Sequence, residues 1–379
     1  MNKRISRRRF VKMAGTAIAL AALPGCGVLA ADDKQEKTQG NVKEKVAGTG
    51  GEHYVPYSER SGAESVVYFT RDLSAAGLLK IYDRVKGSLG GKVAVKLHTG
   101  EPHGPNIIPR PWVKKLLTDK LPEATVIETN TYYGGGRDTT EKHRETLKTN
   151  GWADFTTVDI TDEHGTAMLP VPNGKWFTEM SVGKDMLNYD SFLALTHFKG
   201  HTMGGFGGSN KNIGIGCADG RTGKKAIHTT AGSDNMWSIA QEELMERITE
   251  STNATTNFFA GRVCYINVLR NMSVSCDCEG TAARPVVTPD IGIVASLDIL
   301  AADQASVDLV YALPEEGHAA LVKRIESRHG LRQLSYMKEM GMGNDRYVLI
   351  DIDNDDAHIT AEKAVEGIGT EWVPDKYNI

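Results

Sequence analysis

The stretch LALTHFKGHTMGGFGGSNKNIGIGCADG, Leu193 to Gly220, sets His197 and His201 near Lys211 and carries seven glycines before Cys217. Glycine loses more conformational freedom on folding than any other residue, so a run this dense is expected where backbone approaches a ligand closely or takes positive φ. His197 and His201 have the HxxxH spacing that puts two imidazoles on one face of a helix for a metal, although Gly200 and the strand-like run before it disfavour a helix there. Gly204, Gly205, Gly207 and Gly208 fit neither a Walker A loop nor the GxGxxG fingerprint. Such glycines let backbone N–H groups converge on an anion, with Lys211 at the start of an ensuing helix adding charge. Cys276-Asp277-Cys278 places two thiols on one side of an extended segment, close enough for a soft metal and poorly placed for a disulfide with each other. Three readings stay open for the pair: a metal or cluster, a redox or structural thiol pair, or inert buried cysteines. Two thiolates are too few for a four-cysteine iron–sulfur cluster, so Cys217 or a histidine would have to contribute. Lys224, Lys225 and His228 follow the glycine loop. A lysine and a histidine in a polar cleft can act as covalent tether, acid or base, while a solvated surface pair is the favoured reading for at least one of Lys224 and Lys225. Cys264, inside RVCYINV, reads as core.

The elements that must position these residues follow from hydrophobic periodicity. SVVYFT (65–70), KVAVKL (92–97), ATVIET (124–129) and FTTVDI read as strands alternating with helical patterns near 74–87, 109–120 and 139–150. Residues 166–182 break this rhythm with two strand-like runs about Asn173-Gly174, a hairpin. SFLALT (191–196) resumes the sheet, a helix is expected at about 234–251, and RVCYINV and DIGIVAS read as buried strands. Residues 298–313 read as a helix capped by Asp298, and RYVLIDI closes the fold. The expected class is α/β: a mainly parallel central sheet with flanking helices and an inserted β-hairpin, as one large domain or two lobes. Ligands of open α/β sheets lie beyond the carboxyl ends of the strands. There the sequence places His98, Glu101 and His103 after the second strand, Asn130, Tyr132, Tyr133 and Arg137 after the third, and His197 onward after SFLALT. One shared cleft is expected, with His98, His197, His201, Cys217, Cys276 and Cys278 as metal ligands. Asn130, Arg137, the four glycines and Lys211 would hold a cofactor, and Lys211 and His228 would do chemistry.

The chain has 379 residues and a formal net charge of −4. Arg7, Arg8 and Arg9 precede Phe10, Lys12 and a short, weakly apolar run to Pro24, the layout of a twin-arginine export signal. Leu23-Pro24-Gly25-Cys26 resembles a lipobox, which would leave Cys26 lipidated at a mature N-terminus and tie the chain to a membrane by that anchor alone. Without residues 1–25 the remainder has 38 basic against 48 acidic residues, about −10, which argues against nucleic acid as a partner. The expected organisation is a signal over 1–30, a polar Gly-rich tether over 31–62, the α/β domain over 63–355 and a C-terminal extension over 356–379. A periplasmic or membrane-anchored location follows. Five cysteines are too sparse for a disulfide scaffold.

The segments VYFT, GKVAVKLHTGEP, NTYYGGGRDTTEKH, THFKGHTMGGFGGSNKNIGIG, CDCEG, DIGIVASLDILAADQASVDLV and RIESRHGLRQL, in order from about Val67 to Asp351, together resemble the DUF362 family of uncharacterised proteins. Some of its members carry an added ferredoxin-like segment, and the resemblance therefore implies an iron–sulfur cluster or transition metal. This chain has no such segment. A more distant likeness, at the level of one loop, is to nickel-pincer lactate racemases, in which a glycine-rich loop with a lysine and a later histidine hold a nickel-bearing nucleotide. Lys211 and His228 would fill those places. The expected function is an exported protein with a metal or metallocofactor cleft, working on a small molecule or with a redox partner protein by redox or isomerase chemistry. The alternative is a non-catalytic binding protein for a small anion.

Overall fold

The structure, a computed structural model, describes residues 51–374; the expected signal, lipobox and most of the tether lie outside them. The core is a nine-stranded sheet built from β1 (Glu64–Thr70), β2 (Val93–Lys96), β3 (Thr125–Glu128), β4 (Val158–Ile160), β7 (Ser191–His197), β10 (Val263–Leu269), β11 (Gly292–Ser296), β12 (Arg346–Asp351) and β13 (Ala357–Ile359). Their order is β13-β12-β1-β11-β10-β7-β2-β3-β4. β10, β7, β2, β3 and β4 run parallel, as do β1 and β12, whereas β11 is antiparallel to both its neighbours and β13 is antiparallel to β12. The fold is therefore α/β with a mainly parallel sheet. The expected hairpin forms as β5 (Thr166–Pro170) and β6 (Glu179–Gly183), a separate two-stranded sheet, and Asn173 takes φ 58° in its turn.

Period-two alternation in fully buried strands feeds two cores. Leu193 and Leu195 of β7 face the side covered by α1 (Ala75–Val85), α2 (Arg110–Lys120) and α3 (Thr140–Thr149). Phe192 and Ala194 face the side covered by α4 (Ser209–Cys217), α6 (Gln241–Phe259) and α7 (Ile299–Ala312). Local caps agree with the helix starts: Ser74 accepts from Gly77 N at 3.2 Å and Asp298 from Ala301 N at 3.0 Å. The helix expected at 234–251 begins instead at Gln241. Residues 230–238 are held as turns by Ser233 N to Thr230 O and Ser238 N to Asn235 O, and Gly232 takes φ 79°. The folded unit also reaches past 63–355. Tyr54 and Arg60 both bond the buried Asp308, β13 extends the sheet, and α10 (Ala361–Val365) buries Ala364 and Val365.

β2, β3 and β4 proceed outward in one direction and β7 and β10 in the other. The topological switch point therefore falls between β2 and β7, the place where open α/β sheets bind ligands. Beyond β7 the chain forms a short hairpin, β8 (Lys199–His201) with β9 (Gly205–Gly207), and then α4. After it comes α5 (Gly223–His228). No described helix is long and apolar enough to cross a membrane.

Candidate metal centre

His98 leaves β2, Asn130 follows β3, His197 ends β7, and the segment from Arg270 to Cys278 follows β10, so the carboxyl ends of four parallel strands carry all four. Gly200 brings β8 against that last segment: its N–H bonds Ser273 O at 2.8 Å, and a Cβ there would lie 2.6 Å from Val274 backbone. The result is a group of three ligand atoms, from His201, Cys276 and Cys278, all within 4.8 Å of one another. Cys276 is buried at 1% exposure and Cys278 is half-buried. The CDC segment is not extended beyond its first residue: Cys276 caps a 3-10 turn, Asp277–Ala282, and its sulfur accepts from Cys278 N at 3.3 Å. Glu279 closes the capping box on Cys276 N at 3.0 Å. Lys211 Nζ stands 3.7 Å from Cys276 Sγ. Burial pushes the Cys276 thiol up, but the hydrogen bond from Cys278, the charge of Lys211 and a contact from His201 outweigh it and hold Cys276 well below the ordinary thiol range. Cys278, hydrogen-bonded to Cys276 and buried, is held well above it.

The two histidines of the HxxxH spacing end different strands rather than sharing a helix, and they have different roles. His197 spends both nitrogens inside the fold, Nδ1 on Asp277 Oδ2 at 2.7 Å and Nε2 on Arg270 O at 2.5 Å. Neither is free for a metal, so His197 positions Asp277 instead. Lys199 adds an ion pair to the same carboxylate at 3.1 Å, and His197 and Lys199 together hold Asp277 low against the effect of burial. His201 Nδ1 accepts from Gly204 N at 2.8 Å and Met203 N at 3.3 Å, which leaves Nε2 to face the sulfur or a metal. Burial and then Lys211 keep the ring neutral to lower pH than usual.

The neighbouring loops form a buried ion network. Glu128 pairs with Lys96 at 2.8 Å and with His98 Nδ1 at 3.4 Å, and Arg137 reaches both Glu101, at 2.8 Å, and Glu128, at 3.5 Å. Tyr133 donates to Glu101 at 2.8 Å. Arg137 thus spends its guanidinium on protein carboxylates. His98 Nε2 is buried with no partner, and burial followed by Arg137 lowers its basicity. Asn130 donates through N and Nδ2 to Asp162 at 3.0 and 3.1 Å, a loop-bracing position. Lys224 is no solvated surface residue: it is buried on Asn130 O at 2.6 Å, Ala218 O at 2.9 Å and Thr129 Oγ1, and burial lowers it to about 8. Lys225 is exposed on Asp234. His228 Nδ1 donates to Lys224 O at 2.8 Å, and burial brings the ring down to about 4. Cys217, on the last turn of α4, lies outside the His-Cys-Cys group, and burial pushes it up to about 12.

The first-turn amides of α4 serve an internal carboxylate where a bound anion was expected. Asp303 accepts from Ser209 N at 2.7 Å, Asn210 N at 2.9 Å and Asn267 Nδ2 at 2.8 Å, and a Cβ on Gly208 would meet its Oδ1 at 2.5 Å. Gly205, at φ 75°, packs against Gly330, where a Cβ would come within 2.7 Å of that Cα. Gly204 and Gly207 lie along His201 and Lys199. Asp277, Lys199, Lys96, Glu128 and Asp303 were not singled out by sequence reasoning. For Lys96, Glu128 and Asp303 the available signal was charge inside runs that read as buried strands or a helix, which demands a partner.

The fold is an α/β sheet whose switch-point strand ends carry a group of thiols, imidazoles and lysines. The chain belongs to the DUF362 family, a domain of unknown function, whose profile matches residues 93–308, more than half of the sequence. No curated protein matches. Solved structures similar to it include the lactate racemase apoprotein of Thermoanaerobacterium thermosaccharolyticum, at 11% identity over 85% of this chain and 95% of that one, with a TM-score of 0.33. A Thermotoga maritima protein is similar at 12% identity over 68% and 58%, with a TM-score of 0.32.

Proposed function

We propose that Cys276, Cys278 and His201 hold one soft metal ion that works on a small molecule or exchanges electrons with a partner. The convergence of three donor atoms within 4.8 Å carries this reading. The donor set suits a thiophilic ion with an open position and falls short of the four ligands of an ordinary iron–sulfur cluster. The two sulfurs are the principal ligands. His201 has its Nδ1 lone pair on loop amides, so ligation through Nε2 would require the ring proton to move to Nδ1 and those amide contacts to be given up. The metal would supply a Lewis-acid or electron-exchanging centre. Lys211 neutralises thiolate charge beside it, Asp277 is fixed by His197 and Lys199, and His98 Nε2 remains as a buried acceptor for a ligand proton. The test is elemental analysis on anaerobically purified, natively exported protein, with Cys276→Ser/Cys278→Ser alongside. Stoichiometric metal lost in the folded double variant supports the reading, and unchanged metal content removes the pair from the site. Nickel that depends on Lys211 and His228 instead would favour a nickel-bearing nucleotide, and a broad charge-transfer band with stoichiometric iron would favour a cluster.

A small-anion binder remains the second reading, because the Lys211 ammonium ends on a sulfur rather than a carboxylate. Under it, Lys211→Ala weakens thermal stabilisation by phosphate or carboxylates. We also propose export through the twin-arginine segment with lipidation at Cys26. Replacing Arg7, Arg8 and Arg9 with lysine should then leave the protein in the cytoplasm, and Cys26→Ser should release it from membranes.

A further inference from the structure

The turn at Cys276 bears on the chemistry of the thiols themselves. Glu279 N bonds Cys276 O at 3.0 Å, closing a turn over residues 276–279. A closed turn keeps its first and fourth Cα atoms within about 7 Å, and residues two apart sit nearer still. That falls in the span of roughly 4.4–6.8 Å that a disulfide bridges, which a fully extended segment tends to exceed. The sulfurs are already within 4.8 Å, both are free thiols, and Cys278 is the more exposed of the two, half-buried where Cys276 is at 1%.

We propose that Cys276 and Cys278 form a reversible dithiol–disulfide couple that exchanges with low-molecular-weight disulfides. Cys278 meets the external disulfide RSSR. As its proton passes to the Cys276 sulfur, its own sulfur attacks; a Cys278–SR bond forms, the S–S bond of RSSR breaks, and the departing RS⁻ takes that proton as RSH. Cys276 then attacks Cys278 Sγ and expels the second RS⁻, which solvent protonates. Two electrons leave the protein sulfurs and reduce one disulfide to two thiols, and the reverse reaction restores the pair. Lys211, 3.7 Å from Cys276 Sγ, offsets the negative charge on that sulfur when it makes the second attack. An i,i+2 bridge is tight, which places its potential on the oxidising, labile side. Resting on the metal reading, the oxidised pair has no thiolate to offer, so disulfide and metal exclude each other.

The experiment treats the full chain, metal-free, with oxidised glutathione, then alkylates remaining thiols and maps peptides by mass. The expected result is an internal Cys276–Cys278 bridge that dithiothreitol reverses. In Cys276→Ser, which lacks the resolving thiol, glutathione should accumulate on Cys278. Both thiols still alkylated in folded wild-type protein after excess oxidant, with no adduct in Cys276→Ser, would overturn the couple. Zinc is the metal probe: zinc loaded beforehand should slow bridging at least tenfold. If zinc neither binds nor slows a bridge that does form, the couple stands and the metal reading fails.

Discussion

Glu128 is the residue on which several buried charges depend. It is 2% exposed and meets Lys96, His98, Arg137 and Thr99 N, the last at 2.9 Å. Glu128→Gln leaves Lys96, 1% exposed, without its counter-ion, and breaking a buried pair from one side costs about 3–5 kcal/mol. Urea unfolding at neutral pH should register that loss, and a change under about 1 kcal/mol would mean that Leu97 O and Asn212 carry Lys96 unaided. The signal for this pair was in the sequence, since KVAVKL and ATVIET each put a charge in a strand that reads as buried. Its partner was not legible, because strand adjacency and register decide which charge meets which. The same limit hid His197's role: spacing placed it four residues from His201, but only the turn at Asp277 reveals that both its nitrogens are already committed.

At the scale of elements, the glycine run was legible as a place of close approach, but the approaching group was not. The neighbours of Gly208, Gly200 and Gly205 turn out to be Asp303, Val274 and Gly330, all far away in sequence, whereas Gly204 and Gly207 lie against His201 and Lys199 of their own hairpin. Asp303→Ala should leave the two helix-start amides of Ser209 and Asn210 unpaired, while Asn267 Nδ2 keeps Ser306 Oγ at 3.0 Å. At about 1–3 kcal/mol for each buried unpaired group, the loss in thermal or urea unfolding should reach about 3 kcal/mol. Gly200→Ala makes a different prediction. Its Cβ meets Val274 backbone, so β8 must part from the segment bearing the sulfurs, and zinc affinity by competition titration should fall at least tenfold while circular dichroism stays near the parent. Retained affinity would show that the segment shifts with β8. The helix at 234–251 was misplaced because its polar first residues satisfy a helical pattern while Gly232 and the turns around it win locally.

Across the whole molecule, buried neutral histidines set the acid limit. Burial brings His228 to about 4, and burial with Arg137 brings His143 to about 3, against an unfolded value near 6.5. Between those limits the unfolded chain binds the extra protons, so stability falls as pH drops from about 6.5 toward 4. Glu128 and Asp277, both held low, add a loss of the same sign at lower pH. Asp303, raised by burial to about 6, works in the opposite direction, because the folded state binds its proton first. Chemical unfolding at pH 7 and pH 4.5 should find the protein less stable in acid, and equal stability would mean that Asp303 cancels the histidines. The alternation of strands and helices made the class of fold legible, whereas the order of strands depended on long-range pairing. That order has a consequence for synthesis. β1 leaves the ribosome early, yet Val67 pairs with Ser296 on one side and Leu349 on the other. The nascent chain must hold one edge of β1 bare until Ser296 is made and the other until Leu349, and unpaired edges template aggregation. Chains stalled before residue 346 should therefore depend on chaperones more than the finished protein does.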